Sequence, residues 1–134
     1  MVTRRVLIGS AAGLLIQQLA GAQAPATAPK VVFEHDVPDL TMKGWSATAV
    51  EVSYAPGEGS PSHRHPGITI AYVLEGEIRS KVGDEPERTY KAGEMFLETP
   101  GQLHGVSRNG SSTRPAKLLA ILLAEKGKPR TAPA

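Results

Sequence analysis

Pro56-Gly57-Glu58-Gly59-Ser60-Pro61-Ser62-His63-Arg64-His65-Pro66-Gly67 and Gly93-Glu94-Met95-Phe96-Leu97-Glu98-Thr99-Pro100-Gly101-Gln102-Leu103-His104 are the two stretches on which the fold turns. Each sets histidine beside a Gly/Pro turn signal next to a β-prone run. His63 and His65 are two residues apart. In an extended chain such residues point to the same face, with side chains roughly 6–7 Å apart along the strand. Two imidazoles can then converge on one ion, while Arg64 points away. His104 comes about forty residues later and must arrive from another strand. Imidazole is the commonest transition-metal ligand because its neutral nitrogen is available near pH 7. Two surface histidines in a Gly/Pro loop would give the same short pattern, so the flanking sequence has to decide.

Working outward, Gly44 to Tyr54 is long and rich in β-branched and aromatic residues, and it ends at the Ala55-Pro56-Gly57 turn signal. Ile68 to Leu74 reads as a buried strand by composition. Glu75-Gly76-Glu77 turns it into Ile78–Val82, whose alternation leaves one face to solvent. Gly83-Asp84-Glu85-Pro86 turns again, into Arg88-Thr89-Tyr90. Met95–Glu98, Leu103–Ser107 and the strongly apolar Lys117–Ala124 follow, and Val31–Glu34 offers a short β-prone start. Lys117–Ala124 has the Leu/Ala content of a helix, but the other segments need it as a partner to close a sheet. Strands separated by turn signals at this spacing predict an all-β sandwich or closed barrel in a single domain. Composition agrees. In 134 residues there are 14 Gly and 11 Pro, and a hydrophobic fraction of 40% with only 4% aromatic predicts a core of Val, Leu, Ile and Ala.

The formal charge of +2 rests on Arg4 and Arg5; the rest of the chain holds 13 basic and 13 acidic residues. No basic stripe for phosphates is visible, so nucleic acid is excluded as a partner. With no cysteine, any metal must be held by His and carboxylate, a donor set that suits iron, manganese or zinc. Residues 1–24 have the charged start, apolar middle and small-residue end of a secretory signal, too short for a membrane anchor. The Arg pair after Thr3 is similar to a twin-arginine signal. The expected organisation is a signal peptide over 1–24, a linker over 25–30, a barrel over 31–126 and a structureless tail over 127–134. The expected location is periplasmic or secreted, with no membrane contact once the signal is removed.

Followed by Tyr72-Val73-Leu74-Glu75-Gly76-Glu77, the first stretch resembles the first motif of the cupins, and the second resembles their second motif. The resemblance covers roughly residues 45–124, and the short spacing between motifs is that of small single-domain cupins. It implies a jelly-roll barrel, or double-stranded β-helix, with one divalent transition metal inside one end, ligated by His63, His65 and His104. The chain departs from the pattern where the family has a glutamate ligand: four residues after the second His stands Thr69. Either the site is three-His with open positions, or Glu98 supplies the carboxylate. As a non-ligand, Glu98 could act as general base or simply face outward and pair with an Arg. Thr69 and Phe96 are read as lining the pocket, Tyr72 as core, His35 as a surface histidine, and Asn109 is given no role. The resemblance implies a mononuclear metalloenzyme acting on a small organic molecule, of dioxygenase or isomerase type. The alternatives are a non-catalytic module holding a metal or small ligand, and a barrel that has lost its metal. Edge strands open to β-augmentation make a homodimer an expectation as well.

Overall fold

The structure, a computed structural model, describes residues 29–134; the expected signal peptide and most of the linker lie outside the described residues. Ten strands follow in order: β1 (Trp45–Tyr54), β2 (Gly59–Ser60), β3 (His63–Arg64), β4 (Ile68–Glu75), β5 (Glu77–Val82), β6 (Arg88–Lys91), β7 (Met95–Glu98), β8 (Leu103–Asn109), β9 (Ala116–Glu125) and β10 (Ala132–Pro133). All pairings are antiparallel. One sheet has the order β1-β9-β4-β7. The other runs β10-β3-β8-β5-β6, with β2 also on β8. This is the all-β double-stranded β-helix that the sequence predicts.

The segment of ambiguous propensity holds the first sheet together. In β9, Ala116, Leu118, Ala120, Leu122 and Ala124 are buried and the residues between them are half-buried. It pairs with β1 along its whole length and with β4 on its other side. A period of two with partners on both edges overrides the helix preference of Leu and Ala, which is only a weak prior. The register sets one inward row at each level: Val50, Ala120 and Ala71 lie abreast, as do Leu122 and Thr69. Val73 and Ile78 are fully buried and fill one end of the barrel. Short Ala71 and Ala120 leave room toward the other end, where the histidines lie.

Gly67 and Gly76 are among the glycines required by close approach. A Cβ on Gly67 would sit 1.9 Å from the Leu123 carbonyl oxygen. At Gly76 the backbone is left-handed, with φ of 68°, and a Cβ would meet the Pro115 oxygen at 2.4 Å.

Four sequence expectations change. Val31–Glu34 forms no strand among the described residues; Val31 and Val32 are exposed, with no partner edge to pair with. Tyr72 is half-buried rather than core, because its neighbours Ala71 and Val73 take the inward positions and alternation sends it to the outer face. Over 127–134, expected to lack structure, Ala132 and Pro133 instead form β10, paired with Arg64 and His63 of β3. Asn109, given no role, is a buried clamp. Its Nδ2 donates to the carbonyls of Tyr54, Ala55 and Arg114 at 3.3, 3.1 and 2.7 Å, and its Oδ1 accepts from the Ser111 N–H at 2.8 Å. One amide ties the end of β8 to the end of β1 and to the 110–115 loop.

Asn109→Ala strands these backbone groups in a buried place. The expected loss is about 2–3 kcal/mol of stability, read as a lower urea midpoint at unchanged m-value.

Candidate metal centre

The turn sequence Ser-Pro-Ser before His63 and the short β3 bring His63 and His65 to the barrel mouth. There His63 is the register partner of His104 on β8. From the opposite sheet comes Glu98 at the end of β7. One donor atom from each of His63, His65, Glu98 and His104 lies within 4.8 Å of the others. Glu98 and His104 are each 3% exposed and His65 is 8% exposed, so an unneutralised carboxylate here would be costly.

The other ring nitrogens are occupied, and this fixes where each lone pair points. His63 Nδ1 donates to the Pro61 carbonyl at 2.8 Å. His65 Nδ1 donates to the Arg130 carbonyl at 2.8 Å, with the Thr131 hydroxyl 3.3 Å away. In the neutral tautomer that these bonds select, both imidazoles present the Nε2 lone pair inward, and these two atoms face each other at 3.2 Å. His104 Nε2 is bonded to the buried Ser80 hydroxyl at 2.9 Å, which directs Nδ1 to the centre. That Nδ1 lies 3.1 Å from Glu98 Oε2, and His65 Nε2 lies 3.8 Å from the same oxygen. Glu98 Oε2 and His104 Nδ1 make no hydrogen bond of good geometry with any group among the described residues, despite their proximity. Opposed lone pairs and orphaned buried acceptors around one point call for a cation between them. Three neutral imidazole nitrogens and one carboxylate oxygen fit a divalent transition metal.

Thr69 explains how the carboxylate can come from Glu98. The two residues are direct cross-strand partners of β4 and β7, hence on one face at the same level. The parity with His104 along the chain does not carry this placement, since Glu98 and His104 belong to different sheets. Thr69 itself is buried, and its hydroxyl has no hydrogen-bond partner among the described residues.

Above the cluster opens a cavity of about 590 Å³. Thr69 and Phe96 both line it, and Leu118, Leu122, Ala71 and Ala120 give it an apolar wall. The sequence reading missed Ser80, Arg130 and Thr131. Ser80 could have been found from the alternation of β5, which turns it inward with Ile78. Arg130 and Thr131 carried no signal, because pairing of a two-residue strand depends on contacts far away in sequence.

Burial holds the His63 imidazolium below its ordinary pKa of 6.5. The Pro61 carbonyl opposes this, nearby His104 and His65 add to it, and Glu98 works against it. His63 is thus neutral and ready to ligate near pH 7.

Comparison with known proteins agrees with this architecture. The family described as Cupin domain matches residues 50–122. A germin-like protein, subfamily 2 member 2, of Arabidopsis thaliana is 36% identical over 80 residues, covering 56% of this chain and 36% of the relative. The chain thus spans about a third of that relative's length. Two solved structures share the fold. The DMSP lyase DddQ of Ruegeria pomeroyi DSS-3 has a TM-score of 0.58 and 24% identity, over 66% of this chain and 43% of that one. A recombinant oxalate oxidase in complex with glycolate has a TM-score of 0.54 and 20% identity, over 79% of this chain and 65% of that one.

Because the unfolded chain takes up the His63 proton more readily than the folded one, stability of the metal-free protein falls as pH drops through 6.5 toward the lower folded value. Urea midpoints of wild type and His63→Gln, compared at about pH 7.5 and 5.5, are expected to show a smaller acid loss in the variant.

Proposed function

The chain belongs to the Cupin domain family, and from that premise we propose that it is a mononuclear metal-dependent enzyme acting on a small organic molecule. The observation that carries this reading is the convergence of four potential ligand atoms, two of them buried without a hydrogen-bond partner among the described residues, at the base of a cavity large enough for such a molecule. His63, His65, His104 and Glu98 would hold the ion, with iron, manganese or zinc matching the nitrogen and oxygen donors. When bound, such a metal supplies Lewis acidity, or one-electron chemistry in the case of iron or manganese, at coordination positions that the four side chains leave open.

The remaining groups have distinct tasks. Ser80, Pro61 and Arg130 orient the three imidazoles. Phe96, Leu118 and Leu122 keep water from the substrate's apolar part and lower the local dielectric. The unpartnered Thr69 hydroxyl is placed to hydrogen-bond a polar substrate atom. As a non-ligand, the buried Glu98 carboxylate would instead be placed to accept a proton from substrate. Dioxygenase-type and isomerase-type reactions both fit these parts, and the fold does not choose between them. We further propose, from residues 1–24, that the protein is exported to the periplasm or secreted.

Protein purified from its native compartment is expected to hold about one iron, manganese or zinc per chain by elemental analysis. His104→Ala should lose most of it; full retention would exclude His104 as a ligand. Glu98→Gln separates ligand from base. A metal affinity lower by about 10–100-fold marks a ligand, whereas retained metal with lost turnover marks a base. Oxygen uptake or isomerisation across a panel of small organic acids and alcohols tests catalysis. Full metal occupancy with no turnover would support a binding module instead.

A further inference from the structure

The C-terminal segment after β9 lies outside the 50–122 stretch that matches the family, yet it reaches the site. Its β10 pairs with β3 through Pro133 and His63 and through Ala132 and Arg64. Arg130, Thr131, Ala132 and Pro133 all line the cavity. Arg130 bridges His65, just after β3, and Thr48 on β1. Its main-chain carbonyl accepts from His65 Nδ1 at 2.8 Å, and its Nη1 lies 3.4 Å from the Thr48 hydroxyl on β1, across the mouth.

The side chain of Arg130 has a second property. It is the one Arg or Lys among the described residues lining the cavity. It also makes no ion pair among the described residues. A guanidinium without a counter-ion, set at the rim of a mostly apolar cavity, offers a fork of N–H donors to a planar anion. Glu98, the one carboxylate among the described residues lining the cavity, lies at its base with Oε2 3.1 Å from His104 Nδ1, and not at the rim.

We propose that residues 128–133 form a functional strap in which Arg130 has two separable roles. Through its carbonyl it is a positioning residue, holding the tautomer and ring angle of His65. Through its guanidinium it selects small organic carboxylates with an apolar body, the anionic end at the mouth. The first role rests on the metal-site reading above; the second does not need a metal.

The two roles separate because one belongs to the main chain and the other to the side chain. Arg130→Ala removes the guanidinium and keeps the carbonyl, whereas a chain ending at Gly127 loses both. Binding of butyrate and butyramide to metal-free protein would be measured by calorimetry or ligand-observed NMR, and Co(II) affinity by titration in the visible spectrum. Wild type is expected to prefer butyrate over its neutral isostere by about fivefold. Arg130→Ala should abolish that preference with Co(II) affinity within about twofold, and Arg130→Lys should restore part of it. The Gly127-terminated chain should also lose about tenfold or more in Co(II) affinity. In the same chain, the ¹⁵N shifts of His65 should move from a fixed Nδ1–H tautomer to a mixture. No preference in wild type, or a preference kept in Arg130→Ala, overturns the selecting role. An unchanged His65 tautomer in the shortened chain overturns the positioning role. A wild type that takes no Co(II) sinks the metal reading, while the carboxylate comparison and the His65 spectrum still decide the strap.

Discussion

Two imidazole Nε2 atoms facing each other at 3.2 Å are the constraint around which this barrel is organised. Left alone, His63 and His65 would turn their rings to relieve the repulsion or take a proton between them. They cannot turn freely, because each is held from behind by a carbonyl that accepts its Nδ1 hydrogen, Pro61 for one and Arg130 for the other. The third imidazole is held by Ser80, and a buried carboxylate closes the ring. Binding energy for a cation is in effect stored in the fold, in atoms kept close that would otherwise separate.

The two sheets contribute unequally to this arrangement. The sheet with β3 and β8 carries the imidazoles, and the sheet with β4, β7 and β9 carries the carboxylate and the apolar wall. Burial of small residues on the second sheet, Ala71 and Ala120 above all, leaves the space that larger side chains would fill. The cavity is therefore a property of side-chain size at fixed register, and the barrel around it is ordinary in its closure. Thr69 and Glu98 illustrate the same point. As cross-strand partners they occupy equivalent positions on one face, so a carboxylate can sit on either strand and still reach the same ion.

Much of this was legible in the sequence, because turn signals and period-two alternation are local. The succession of strands from Trp45 to Ala124 and the shared face of His63 and His65 could be read directly, whereas the convergence of His104 on them was implied by the family resemblance. The inward placement of Glu98 could not, since it depends on which sheet β7 joins. Nor could the Asn109 clamp, whose partners lie at Tyr54, Ala55, Ser111 and Arg114 and form only once β8 meets the end of β1. The tail was misread for the same reason: composition rich in Pro and basic residues describes a segment's solubility, not the edge it will find. Tyr72 shows the converse, an aromatic residue placed on the outer face by parity alone.

The position of β9 also sets the order in which the molecule can form. Its partner β1 ends about sixty residues before β9 begins, and β4 lies between them in the chain. The first sheet has no centre until residues 116–125 exist: before then β4 can pair only with β7, β1 has no partner among the described strands, and the inward rows of β1 and β4 stay unmatched. Contacts of such sequence separation make folding slow, and the loop-closure cost is met late. The strap comes later still, so the hydrogen bond that steadies His65 is among the last to be made. A nascent chain that has not yet reached residue 130 therefore lacks the carbonyl that fixes His65, and the set of three fixed imidazoles is still incomplete.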